Sequence, residues 1–155
     1  MFKTNRISFG GTAAIVTSMA LITGLDAAKA GRATMVSALL IAAIADNLTD
    51  SLSVHMYQES ERLEQGEAFA GTLSNFATRL AVCLSFVLIV AVFQEQVVAL
   101  GGILWGMFLL AALTYLLARE RAVNTLSEIV KHLAVAAAII FVSKAIGHWI
   151  ARYLA

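Results

Sequence analysis

Residues 35–56 read MVSALLIAAIADNLTDSLSVHM, and two aspartates inside a run otherwise apolar enough to cross a bilayer decide how the rest of the chain is read. A charged side chain at the centre of a membrane helix costs roughly 2.5–3.5 kcal/mol on insertion scales. Asp46 and Asp50 therefore mark either a function or a buried partner. On an uninterrupted α-helix, positions 46, 50, 53 and 57 recur at i, i+4, i+7 and i+11, which places Asp46, Asp50, Ser53 and Tyr57 on one face. That polar stripe is expected to look inward.

The composition supports a membrane reading for the whole chain. Of 155 residues, 60% are hydrophobic and 14% charged, against about half apolar and a quarter charged in ordinary soluble domains. A net charge of +1 with no basic stripe leaves nothing to recognise nucleic acid. Cys83 is the only cysteine, so an intrachain disulfide and a multi-cysteine metal site are excluded. No proline is present, and the helices are expected to run without kinks.

Working outward from residues 35–56, apolar runs recur at about 7–25, 33–57, 69–93, 97–118 and 129–153, each close to the length that spans a hydrocarbon core of about 30 Å. The short connections between them predict a single domain, an all-α integral membrane bundle of five spans in up-down order. Lys3 and Arg6 before the first run, and Ala28-Lys29-Ala30 after it, resemble a secretory signal, but the run is read as a retained span. With the N-terminus in the cytoplasm, Lys3, Arg6, Arg62, Arg119, Arg121 and Lys131 fall on the cytoplasmic side. Only Lys29, Arg32 and Arg152 fall opposite, so the positive-inside rule predicts N-in, C-out. The expected location is the cytoplasmic (inner) membrane of a bacterium.

The third span adds a second polar stripe, with Thr72, Asn75 and Arg79 at i, i+3 and i+7. A guanidinium at that depth requires a carboxylate, a backbone acceptor or water, and Asp46 or Asp50 is the expected partner. Two readings of these residues stay open at this point. In one, a carboxylate remains available to a cation or proton. In the other, Asp46, Asn47, Asp50, Asn75 and Arg79 form a closed hydrogen-bond network that fixes helix register and moves nothing.

Beyond Asp50, His55 and Glu59 lie one helical turn apart, a spacing that suits a divalent ion, although a charged helix end in water has the same pattern. Lys144 and His148 share a face of the fifth span, where Lys144 is expected to snorkel toward the surface. Gly102 and Gly106 form a small-xxx-small pair, suited either to packing within the chain or to a dimer contact. Trp105, Trp149 and Tyr153 are read as packing or interfacial-belt residues. No nucleophile elbow, phosphate loop or zinc-protease helix is present, so no enzyme activity and no organic cofactor are expected.

The arrangement resembles the vacuolar iron transporter family of divalent-metal/proton exchangers. Residues 15–25 (IVTSMALITGL) are similar to that family's opening helix, Asp50-Ser51-Leu52-Ser53-Val54 to its G-E-Y-L-S-V, and residues 127–147 (SEIVKHLAVAAAIIFVSKAIG) to its last span. Against the family pattern, Ala13 stands where the opening helix carries a metal-binding aspartate, Asp46 where the second helix carries methionine, and Asp50 where it carries glutamate. Only residues 58–68 stand where members carry a glutamate-rich cytoplasmic domain. The resemblance implies a homodimer with its pathway at or near the subunit interface. Fe²⁺ or Mn²⁺ would be the substrate, moved out of the cytosol against protons. Asp46, Asn47, Asp50 and Ser53 would form the metal site, His55 and Glu59 would gather metal at the entrance, and Asn75 and Arg79 would tune the pathway. Exchange of methionine for Asp46 hardens the site toward oxygen-seeking ions. The competing expectation is a non-transporting scaffold or accessory subunit that binds another membrane protein.

Overall fold

The computed structural model describes residues 4–60 and 65–154, and within them the side chains of residues 10–53, 55–57 and 69–154. Every element among the described residues is helical. They are α1 (Thr4–Ala27), α2 (Arg32–Ile41), a π-helical turn (Ala42–Asp46), α3 (Asn47–Ser60), α4 (Gln65–Val92), α5 (Glu95–Glu120) and α6 (Thr125–Tyr153). Among the described residues five stretches are long and apolar enough to cross a membrane: Gly10–Ala27, Arg32–Tyr57, Phe69–Val92, Glu95–Glu120 and Thr125–Tyr153. These are the five expected spans with their ends moved by a few residues. The fifth starts earlier than read from hydropathy because Asn124 caps it, its side-chain oxygen accepting from the Ser127 amide at 3.1 Å.

The end of the bundle remote from the N-terminus gathers the C-terminal ends of α1, α4 and α6 with the N-terminal ends of α2 and α5. Arg32, at the start of α2, ties α4 down there by donating to the carbonyls of Ala91 and Phe93 at 3.3 and 2.8 Å.

α1 occupies the centre, packed by α2, α4, α5 and α6. It is the least apolar of the five spans and the most buried. The two properties share one cause. Helices facing lipid need large apolar side chains, whereas a helix enclosed by others packs best with small residues and satisfied hydroxyls. Accordingly Ala14, Ile15, Ser18, Met19, Ile22 and Thr23 of α1 are buried, and Thr23 donates back to the Met19 carbonyl at 2.7 Å.

Glycines set the closest approaches. A β-carbon at Gly102 would lie 3.1 Å from Ile22, and one at Gly106 would run into Met19. The small-xxx-small pair therefore packs α5 on α1 within the chain. A β-carbon at Gly147 would strike the Gly24 carbonyl oxygen and come within 2.8 Å of Ala27, so α6 crosses α1 almost backbone to backbone. Trp105 is likewise a packing residue, its indole N–H donating to Ser85 of α4 at 2.9 Å.

The π-turn corrects the expectation that the stripe containing Asp46 looks inward, while the helix itself runs on through it from Arg32 to Tyr57. A π-turn inserts one extra residue into the helical ladder, which rotates everything after it. Met35 and Leu39 of α2 face the core, and the inward series continues as Ala43, Asn47 and Ser51. Without the extra residue it would continue nearer to 46, 50 and 53. Asp46 and Ser53 are exposed, together with Ile44, Leu48, Leu52 and Tyr57.

Candidate functional site

The polar residues inside the second and third apolar spans fall into two groups, one buried and one exposed. The inner group lies between α3, α4 and the first turns of α1. Asn47, Ser51, Asn75 and Arg79 are all buried there. They fit because α1 carries Gly10 opposite them, where a β-carbon would collide with the Asn75 amide oxygen and lie 2.9 Å from the Arg79 side chain.

Asn47 donates through Nδ2 to the Phe76 carbonyl of α4 at 2.9 Å. Arg79 forms an ion pair with Asp50 through Nη1, the arginine side chain 5% exposed and the aspartate 37%. The sequence expectation that Arg79 takes one of the two aspartates is met by Asp50. Several atoms of this inner group remain without a hydrogen bond among the described residues: Asn47 Oδ1, Ser51 Oγ, both amide atoms of Asn75, and Arg79 Nε. Each such atom costs about 1–3 kcal/mol unless water or an ion partners it.

The outer group is Asp46 with Thr49 and Ser53. Asp46 sits near the midpoint of the Arg32–Tyr57 span, is exposed, and makes no hydrogen bond or ion pair among the described residues. Thr49 and Ser53 return their hydroxyls to the carbonyls of Ala45 and Thr49, both at 3.0 Å. Asp50 lies between the groups, half-buried and tied inward by Arg79.

Among the described residues the expected ligand set is therefore not gathered at one point. Asn47 points inward, Asp46 and Ser53 point outward, and the Ser53 hydroxyl is engaged by backbone. His55 approaches Thr72 of α4, Nδ1 to Oγ1 at 3.5 Å, while the Glu59 side chain lies outside those described. Among the described residues no three His, Cys, Asp or Glu side chains converge as a metal site. Ala13, which replaces the resembled family's aspartate, is half-buried on α1.

Ser51 and Gly10 were not singled out by sequence reasoning. Ser51 becomes visible only once the π-turn is known, and Gly10 only once α1 is known to face Asn75. No protein-family model, curated protein or solved structure matches the chain, so the resemblance to the vacuolar iron transporters rests on the residues quoted for it.

Proposed function

We propose that the protein is a divalent-cation transporter of the vacuolar-iron-transporter kind. It works as a homodimer that exports an Fe²⁺- or Mn²⁺-like ion from the cytosol against protons, with its N-terminus cytoplasmic. The observation that carries this reading is the exposed, unpaired Asp46 at mid-span, flanked by exposed Ile44 and Leu48.

A carboxylate turned toward hydrocarbon is costly, which argues that protein covers this face. A second copy of the chain supplies the same face, so two Asp46 and two half-buried Asp50 carboxylates meet there. Four oxygen-ligand groups suit a hard divalent ion. Behind them, the unsatisfied atoms of Asn47, Ser51 and Asn75 favour a hydrated seam reaching toward α1. Arg79 holds Asp50 in place through the ion pair.

A panel of divalent ions against the purified protein tests this through ligand-linked stability. Mn²⁺ is expected to raise the melting temperature of the wild type, and Asp46→Asn to remove that rise while leaving the metal-free melting temperature unchanged. No stabilisation by any ion, or an equal rise in Asp46→Asn, sinks the metal reading.

A second reading is favoured by the Asp50–Arg79 ion pair. A scaffold whose polar core is structural needs no more than that pair, and its outer α3 face would be covered by another membrane protein. Isolation with a stoichiometric partner, together with indifference to metal, is the result this reading expects.

A further inference from the structure

The end of the bundle remote from the N-terminus holds a second concentration of charge, unrelated to the aspartates of α3. An open cavity of about 630 Å³ lies between the C-terminal ends of α1 and α6, walled by Asp26, Lys29, Lys144, His148 and Arg152. A smaller one of about 210 Å³ shares Asp26 and Lys29 with it and adds Arg32 and Glu95. In the larger cavity three basic side chains and one carboxylate line the wall. None of Asp26, Lys29, Lys144 and Arg152 is in an ion pair among the described residues.

Part of this charge has a simpler origin. The C-terminal end of a helix attracts cations, but the effect fades within the last turn. That accounts for Arg152 and for Lys29, which caps α1 with a positive φ of 59°. It does not account for Lys144. This lysine is half-buried and lies about two and a half turns inside α6, yet it lines the same cavity. His148 stands one turn further on, its ring fixed by an Nδ1–H bond to the Lys144 carbonyl at 2.9 Å.

Exposed Trp149 and Tyr153 put the cavity at the depth where aromatic side chains meet lipid headgroups. At that level the abundant anion is phosphate. Lysine ammonium groups and an arginine fork match its oxygens, and basic pockets between membrane helices bind such groups.

We propose that the Lys29–Lys144–Arg152 cavity binds a phosphate-bearing anion, either the headgroup of an anionic lipid or a soluble phosphate compound. The site does not depend on the transport reading.

The test uses the full-length protein in a zwitterionic detergent, titrated separately with inorganic phosphate, short-chain phosphatidylglycerol and short-chain phosphatidylcholine. Stabilisation by inorganic phosphate identifies a soluble ligand, and stabilisation by phosphatidylglycerol alone identifies a lipid. In either case Lys144→Gln is expected to weaken binding about tenfold, Lys144→Arg to retain it and Asp26→Asn to tighten it. Should Lys144→Gln fail to fold, the exposed Arg152→Gln carries the same expectation. The proposal is overturned if neither phosphate nor phosphatidylglycerol binds. It is equally overturned if folded charge-removal variants bind as the wild type does, or if phosphatidylcholine stabilises as well as phosphatidylglycerol.

Discussion

Gly147→Val is expected to destabilise the bundle by about 3 kcal/mol or more, the largest effect of any single apolar substitution in the far half of the molecule. The added side chain has nowhere to go. Its first carbon meets the Gly24 carbonyl oxygen, and the next nearest atoms are Ala27 Cβ at 2.8 Å and the Ala28 amide nitrogen at 3.0 Å. Two of those three atoms are backbone, so relief requires α6 to move off α1, the helix at the centre of the core. Gly31→Ala is the matched control, because a β-carbon there meets nothing within 4 Å, and its effect should stay within about 0.5 kcal/mol. Unfolding by SDS in mixed micelles would measure both. Equal stability of Gly147→Val and wild type would mean that the α1–α6 crossing is not as close as described.

Removing Asp50 is the second large perturbation, and its sign pattern separates it from an ordinary surface ion pair. Asp50→Ala leaves the Arg79 guanidinium buried and without its counter-charge, a loss of about 2–3 kcal/mol after allowing for the partial exposure of the aspartate. Arg79→Met leaves behind a carboxylate that is 37% exposed and able to take water, so the loss is expected to be about 1 kcal/mol. The double variant should therefore be more stable than Asp50→Ala alone, and the same mixed-micelle unfolding reads all three. If Arg79→Met is the more damaging single change, the guanidinium holds the fold through contacts other than Asp50.

The number and placement of the spans were legible because apolar run length is a one-dimensional property, and lipid imposes it directly on the sequence. The pairing of Arg79 with an aspartate was legible for a similar reason. A guanidinium at that depth has few affordable partners, and the chain offers only two carboxylates in the neighbouring span.

The facing of α3 was not legible. It depends on one extra residue in the Ala42–Asp46 turn, and nothing in Ala42-Ala43-Ile44-Ala45-Asp46 announces a π-turn by composition. Extending a 3.6-residue period through that segment turned Asp46 inward, whereas it is exposed. The only trace in the sequence is the four-residue spacing of Met35, Leu39, Ala43, Asn47 and Ser51, which reads as a single face only when the helix is underwound. The central position of α1 was hinted at by its glycines, alanines and hydroxyls. The partners of Gly10, Gly106 and Gly147 lie on other helices and required the three-dimensional arrangement.

The placement of Asp46 also changes what the candidate site asks of the molecule. An inward Asp46 would have completed a pathway inside one chain. An outward Asp46 would give each chain only half of one, and the proposed function then requires a second copy to cover that face.

The most direct test of that claim is proton movement driven by a Mn²⁺ gradient in liposomes containing the protein. Wild type is expected to move protons opposite to the metal, Asp46→Asn to fall to the rate of protein-free liposomes, and Gly31→Ala to behave as wild type. A wild-type rate retained by Asp46→Asn and by Asp46→Asn with Asp50→Asn would contradict the account.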